Sequence, residues 1–168
     1  PRWLTVVPSL GLDFVFIDTE HIALDRLTLS WMCRSYAAAG LPSIVRIPNH
    51  DPFEATKVLD GGAAGVIAPY IEEPAQLLEL HGAVGLRPLK GQRLSRRLAS
   101  PGQGAEGASD HDGARQRYLD ERNAASILVA NIESTPALEN LDAILSVPGL
   151  DAVLVGPHDL SVSLGVPE

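Results

Sequence analysis

The stretch Ala152-Val153-Leu154-Val155-Gly156-Pro157-His158-Asp159 decides the fold class. A short, β-branched apolar run stops on a tight turn and a carboxylate. Four earlier runs stop in the same manner: Phe14-Val15-Phe16-Ile17 on Asp18, Ile44-Val45 on Arg46, Gly65-Val66-Ile67-Ala68 on Pro69, and Ile127-Leu128-Val129-Ala130-Asn131-Ile132 on Glu133. The runs are continuous rather than alternating, which predicts strands covered on both faces in a parallel sheet. Polar residues at the carboxyl ends of such strands line the rim where α/β scaffolds build active sites.

Helix-like segments separate the runs. Asp25 to Ala39 stops at Gly40-Leu41-Pro42, and Asp51 caps a short helix beginning at Pro52 and running to Leu59. Further helices are predicted from Glu73 to Leu80 and from Thr135 to Leu145. Strand followed by helix, repeated, is a βα repeat of the (β/α)8 TIM-barrel kind. A closed barrel takes ~250 residues, whereas this sequence has 168. The expectation is therefore a single partial TIM-barrel domain over 1–168 with about five βα units. The chain does not begin with methionine, and it stops soon after the fifth strand-end motif.

The gap from Pro69 to Glu133 is the outlier. Residues 88–125 read as a long insertion, a mobile active-site loop rich in Gly, Ser, Arg and Asp from Gly91 to Gly113, closed by a short helix near Ala114 to Arg122. The basic residues Arg87, Lys90, Arg93, Arg96 and Arg97 read as a solvated loop, with an anion site as the alternative.

Composition excludes several classes. A net charge of −8 argues against nucleic-acid binding, which needs a basic footprint. No apolar run approaches the ~20 residues of a membrane span, and Pro1-Arg2-Trp3 does not open a signal peptide. One cysteine, Cys33, forms no intrachain disulfide and suits the cytoplasm. Neither lysine, Lys57 or Lys90, ends a strand, which disfavours a Schiff-base mechanism.

Glu133 and Asp159 end consecutive strand units, so both carboxylates belong on one rim. Such a pair suits a hard divalent cation, Mg²⁺ or Mn²⁺, with space for water and a bidentate substrate. Their plainer reading is as caps of the following helices. Arg46 has the fork for a substrate carboxylate or an oxyanion, or else pairs with Asp18 or Glu20. His21 follows Asp18 by three residues, a spacing that lets the acid orient the imidazole as a general base. His50, His81 and His111 read as solvent-exposed. The turn at Gly156 to Asp159 offers backbone N–H groups to a substrate carboxylate.

Taken together, Phe16-Ile17-Asp18-Thr19-Glu20-His21, Val45-Arg46, Leu59-Asp60-Gly61-Gly62-Ala63, Asn131-Ile132-Glu133-Ser134 and Gly156-Pro157-His158-Asp159-Leu160-Ser161 resemble the HpcH/HpaI aldolase family. The resemblance implies a metal-dependent class II aldolase, an aldehyde-lyase that cleaves a 4-hydroxy-2-oxo acid to pyruvate and an aldehyde. It implies Glu133 and Asp159 as ligands of Mg²⁺ or Mn²⁺, with Co²⁺ as a further candidate. Arg46 would hold the pyruvyl oxygens, His21 with Asp18 would relay protons, and the backbone N–H groups of His158 and Asp159 would receive the substrate carboxylate. Asp60 matches an aspartate that takes part in the site near a subunit boundary, in homo-oligomers built as trimers or hexamers. The segment Leu86-Arg87-Pro88-Leu89-Lys90-Gly91-Gln92-Arg93 departs from the family's Gly-x-Arg-Gly pattern. Two alternatives stand beside this reading: a citrate-lyase-beta or malyl-CoA-lyase-like activity, and a truncated non-catalytic binding or assembly protein.

Overall fold

The computed structural model describes residues 6–99 and 110–167. Five parallel strands form one sheet in chain order: β1 (Val15–Asp18), β2 (Ser43–Arg46), β3 (Gly65–Ala68), β4 (Ile127–Ile132) and β5 (Ala152–Val155). Among the described residues, eight α-helices accompany the strands. They are α1 (Arg26–Ala38), α2 (Pro52–Gly61), α3 (Pro74–Gly85), α4 (Gly91–Ala99), α5 (Asp110–Asn123), α6 (Thr135–Glu139), α7 (Leu141–Leu145) and α8 (Pro157–Ser163). The sheet curls into a half-barrel, as the strand reading predicts. Every crossover returns the chain to the same edge, so all carboxyl ends share one rim.

Local chemistry sets the helix boundaries. The Asp25 carboxylate accepts the N–H groups of Leu27 and Thr28, and Asp51 accepts that of Phe53 with Pro52 in the first turn. The predicted helix from Thr135 to Leu145 is two short helices, because the chain breaks at Asn140. Asn140 sends its side-chain N–H to the carbonyl of Glu72, which ties this break to the β3–α3 connection.

The core lies between the sheet and the helices. Val45, Val66, Leu128 and Ala130 are fully buried against Cys33, Ala55, Leu77, Leu80 and Ile144. Each large aliphatic side chain buried there stabilises the fold by about 1.5–3 kcal/mol. Burial in this core also pushes the Cys33 thiol pKa upward. Double-sided cover holds for β3 and nearly all of β4, but fails at the edges. All four residues of β5 are exposed, and Phe14 and Phe16 are about half exposed at β1. Among the described residues, each edge strand has a neighbour on one side only.

Within 88–125, α5 occupies 110–123, where the sequence predicts a short closing helix near 114–122, and the stretch predicted as loop holds a further helix, α4, at 91–99. Residues 100–109 of that expected loop lie outside the described residues. The segment joins the end of α3 to the start of β4. The side-chain amide of Asn123 donates to the carbonyl of Arg87 at 2.9 Å, which clamps its two ends together. Those ends lie beside the amino termini of the strands, away from Glu133.

Two histidines depart from the exposed reading. The side chain of His50 lies 3.3 Å from the Gln76 amide. His81 is half-buried, and its ring sits where a Cβ on Gly149 would have to be, 2.0 Å from Nδ1. Burial lowers the pKa of His81, with Arg97 adding to the effect and Asp151 opposing it. The side chain of His111 lies outside the described residues.

Candidate active site

Asp18 and Arg46 are register partners at the ends of β1 and β2. Arg46 donates from Nε to Asp18 Oδ1 at 3.0 Å and from Nη2 to Oδ2 at 2.7 Å. Its Nη1 stands 3.1 Å from Glu20 Oε2. The two carboxylates therefore hold the guanidinium flat on the rim, over the ring of Phe16. The hydrogen bond from Arg46 is the main cause that lowers the Asp18 pKa, and the same bond raises that of Arg46.

The sequence placed Asp18 behind the imidazole of His21. Asp18 instead meets this residue at the backbone: its Oδ1 accepts the N–H of Glu20 at 3.0 Å and that of His21 at 3.4 Å. The ring of His21 is largely exposed, with Nε2 3.7 Å from Glu20 Oε2.

Glu133 directly follows β4 and is 3% exposed. Its Oε1 accepts the backbone N–H of Tyr70 at 2.8 Å, and its Oε2 accepts the amide of Asn131 at 2.5 Å. Asn131 lies two residues before it, so both side chains leave the same face of the chain. Tyr70 reaches Glu133 with a left-handed backbone, φ 52°, which only a constrained site maintains in a bulky residue. From the neighbouring strand end, Gly156 passes so close that a Cβ there would stand 2.6 Å from Glu133 Oε2.

Burial is the main cause that raises the Glu133 pKa; Glu20 and Asp159 add to it, while the Tyr70 N–H and Arg46 oppose it. Asp159 sits in the first turn of α8 and contributes to the fields at both Glu133 and Tyr70. Glu20, Glu133 and Asp159 thus gather negative charge at one place, against the single guanidinium of Arg46. Among the described residues no group of three or more Asp, Glu, His or Cys side chains is preassembled around a cation position. The donor set still fits a hard divalent ion. Each Glu133 oxygen accepts one hydrogen bond and keeps a lone pair, the carboxylate is desolvated, and Mg²⁺ takes one or two carboxylates with water and substrate completing its shell.

The remaining predicted residues separate. The side chain of His158 is exposed; by helix geometry the N–H groups of His158 and Asp159 have no acceptor within α8. Asp60 lies in the last turn of α2, at the opposite end of the sheet from Arg46. It is 3.7 Å from the Arg87 guanidinium, and within one chain it does not join the rim. Arg87 is itself mostly buried, unlike the solvated cation expected from the sequence.

Sequence reasoning missed Tyr70 and Gly156 as supports of Glu133. No sequence signal marks a left-handed tyrosine. For Gly156, the glycine directly after a strand was visible, but the carboxylate it accommodates was not. The Asn131–Glu133 pairing was readable from the two-residue spacing.

Residues 1–168 match the profile of the HpcH/HpaI aldolase/citrate lyase family. A hydroxypyruvate/pyruvate aldolase from Paraburkholderia phytofirmans is 34% identical over 160 residues, covering 92% of this chain and 58% of that protein. A 2-keto-3-deoxy-L-rhamnonate aldolase from Salmonella gallinarum is 32% identical over 167 residues, covering 97% and 58%. Among solved structures, an HpcH/HpaI aldolase from Desulfitobacterium hafniense DCB-2 superposes with a TM-score of 0.77 at 28% identity, covering 99% of this chain and 61% of that one. The citrate synthase SbnG gives 0.75 at 30% identity, covering 99% and 61%. The chain therefore spans about 58% of the length of the curated relatives it matches. A full-length match to the family profile, on a half-barrel that superposes on a family aldolase, establishes that this chain belongs to the HpcH/HpaI aldolase/citrate lyase family.

Proposed function

We propose that this chain carries the catalytic rim of a divalent-metal-dependent aldolase that cleaves a 4-hydroxy-2-oxo acid to pyruvate and an aldehyde. The observation behind this reading is the desolvated Glu133 carboxylate, which shares one electrostatic site with Asp159 and faces the Asp18-clamped Arg46. Glu133 and Asp159 would hold Mg²⁺ or Mn²⁺, with Co²⁺ a further candidate. Bound there, the ion supplies Lewis-acid polarisation of the 2-oxo group.

The side chains of the rim divide the remaining work. His21 takes the proton from the C4 hydroxyl as the C3–C4 bond breaks, the bonding pair moves onto C3 and into the 2-oxo group as an enolate, and a proton returned to C3 completes pyruvate. Arg46 spends its Nε–H and one N–H of Nη2 on Asp18 and pairs Nη1 with Glu20 by charge, which leaves N–H groups on both terminal nitrogens for the oxygen that gathers this charge. The first-turn N–H groups of His158 and Asp159 receive the substrate carboxylate. Asp60 would enter the site of a neighbouring copy in a homo-oligomer, a trimer or hexamer. The single cysteine is compatible with a cytoplasmic setting, and among the described residues no helix is long and apolar enough to cross a membrane.

The test is proton–deuterium exchange at C3 of pyruvate, followed by NMR with added Mn²⁺. Exchange should depend on Mn²⁺ and vanish in Glu133→Ala and Asp159→Ala. Exchange that continues undiminished after stringent chelation overturns the reading. The likeness to a citrate synthase favours a second reading, carbon–carbon bond formation at the same rim. Citrate formation by the same preparation, without retro-aldol cleavage, would select it.

A further inference from the structure

We propose that Tyr70 is a specificity-determining residue: its phenol lies over the mouth of the rim and donates a hydrogen bond to a hydroxyl of the aldehyde half. The proposal rests on the aldolase reading of the rim. The backbone gives the first reason. Tyr70 follows β3, the central strand of the sheet, and stands between Pro69 and Ile71, both fully buried. Its φ of 52° is left-handed, a conformation that glycine adopts without strain and a bulky residue does not. The bond from its N–H to Glu133 needs only a backbone. A tyrosine held where glycine would serve that bond with less strain points to a use for the side chain.

The side chain leaves the wall that its neighbours occupy. Tyr70 is 46% exposed between two fully buried residues. Its phenol stands in the fields of Asp159, Glu20, Glu133 and Arg46, that of Asp159 being the strongest and that of Glu20 the next. Asp159 follows β5 and Glu20 follows β1, the two outer strands, on opposite sides of β3. A group rooted on the central strand that feels both outer ends lies across the concave mouth of the half-barrel, not along the wall beside Glu133.

The phenol is equipped to donate there. Among the described residues its O–H has no hydrogen-bond partner. A phenol keeps its proton at neutral pH, with a pKa of about 10, and partial burial with the nearby carboxylates raises that of Tyr70. Glu133 and Arg46, which meet the 2-oxo acid, are far less exposed than Tyr70, so the outer position of the phenol falls to the aldehyde half. A hydroxyl on the carbon beside the aldehyde carbonyl can accept from Tyr70 and donate to a neighbouring carboxylate; a methyl group there can do neither. The substrate class is therefore a 2-hydroxyaldehyde joined to pyruvate.

The test compares glycolaldehyde with propanal, which has the same number of heavy atoms, as partners of pyruvate in aldol addition with Mn²⁺. Tyr70→Phe keeps the ring and the backbone N–H. It should lower kcat/KM for glycolaldehyde about tenfold more than for propanal, the worth of one hydrogen bond. Because the comparison runs between native and variant, the intrinsic reactivity of the two aldehydes cancels. An unchanged ratio overturns the proposal, and so does an equal loss with both aldehydes, which would mean that Tyr70 only supports Glu133. If Tyr70→Phe does not fold, [ζ-¹³C]tyrosine NMR of the native chain decides. The chain has three tyrosines, so Tyr36→Phe and Tyr118→Phe identify the Tyr70 signal. With Mg²⁺ and the inert pyruvate analogue oxamate, that signal should move on adding glycolaldehyde and not on adding propanal; a signal that stays in place overturns the proposal. Proton exchange at C3 of pyruvate separates the two failures. Exchange in the native chain with an unchanged aldehyde ratio sinks this proposal alone, whereas absent exchange sinks the aldolase reading beneath it.

Discussion

Asp18 and Arg46 face one another in register at the ends of β1 and β2, joined by two hydrogen bonds of 3.0 and 2.7 Å. The pair turns a strand end into a rigid cationic plate. A lysine would keep the charge but lose the fork that binds Asp18 and still reaches a substrate oxygen. Arg46→Lys should lower kcat/KM for pyruvate exchange by about 100-fold, the scale of one preorganised oxyanion donor. Mn²⁺ affinity should stay within about threefold of native, by the same separation of roles. An affinity that falls as far as the activity would place the guanidinium in support of the metal rather than the substrate.

Gly156 is required by proximity. An alanine there would put its Cβ 2.6 Å from Glu133 Oε2 and 2.9 Å from Glu133 Cβ, so the carboxylate must move. Gly156→Ala should weaken Mn²⁺ binding by about 10–100-fold, the usual effect of disturbing support around a metal ligand. Titration followed by electron paramagnetic resonance measures this directly. Native affinity in the variant would remove Glu133 from the ligand set.

Glu133 should cost the metal-free protein stability. Burial, with Glu20 and Asp159, raises its folded pKa above the unfolded value. The folded chain therefore holds this proton more tightly than the unfolded chain. The contribution of Glu133 to stability falls as pH rises through the carboxylate range up to its raised folded value, and stays lost above it. Asp18 behaves oppositely: its pKa is lowered, chiefly by Arg46, so its contribution is lost as pH falls. Comparing native protein with Glu133→Gln in EDTA isolates the first effect. The variant should have the higher urea midpoint at pH 7, with the difference shrinking toward pH 4. A variant less stable than native at pH 7 would contradict the sign.

Gly149 combines a left-handed backbone, φ 81°, with the His81 ring at its surface. Gly149→Ala should destabilise by more than about 2 kcal/mol, since it adds backbone strain to overpacking. Combining it with His81→Ala should recover part of that loss in denaturant titrations. Strict additivity of the two changes would mean that the ring does not oppose the added methyl.

The legible portion of the fold was the part written in local pattern. Runs such as Gly65 to Ala68 and Ile127 to Ile132 are apolar without alternation because both faces are covered, and they were readable as strands for that reason. Asp25, Asp51 and the prolines after helix caps marked their helices equally well. The stretch from Gly91 to Ala99 was not legible as helix: it buries no residue, so its glycine, serine and arginines read as loop.

Chain order alone is enough to say which residues reach the rim. Asp18, Arg46, Glu133 and Asp159 end, or follow, four of the five parallel strands, and parallel strands point their carboxyl ends the same way. Packing between remote segments sets how these residues are coupled. It gave the acceptors of Asp18 to Arg46 and to the backbone, brought Glu20 beside His21, and set the left-handed Tyr70 and the side-chain-free Gly156 against Glu133. It also kept Asp60 at the far end of the sheet. Chain order encodes position along a strand, but which lone pair meets which N–H depends on distances of a few ångströms between segments remote in sequence.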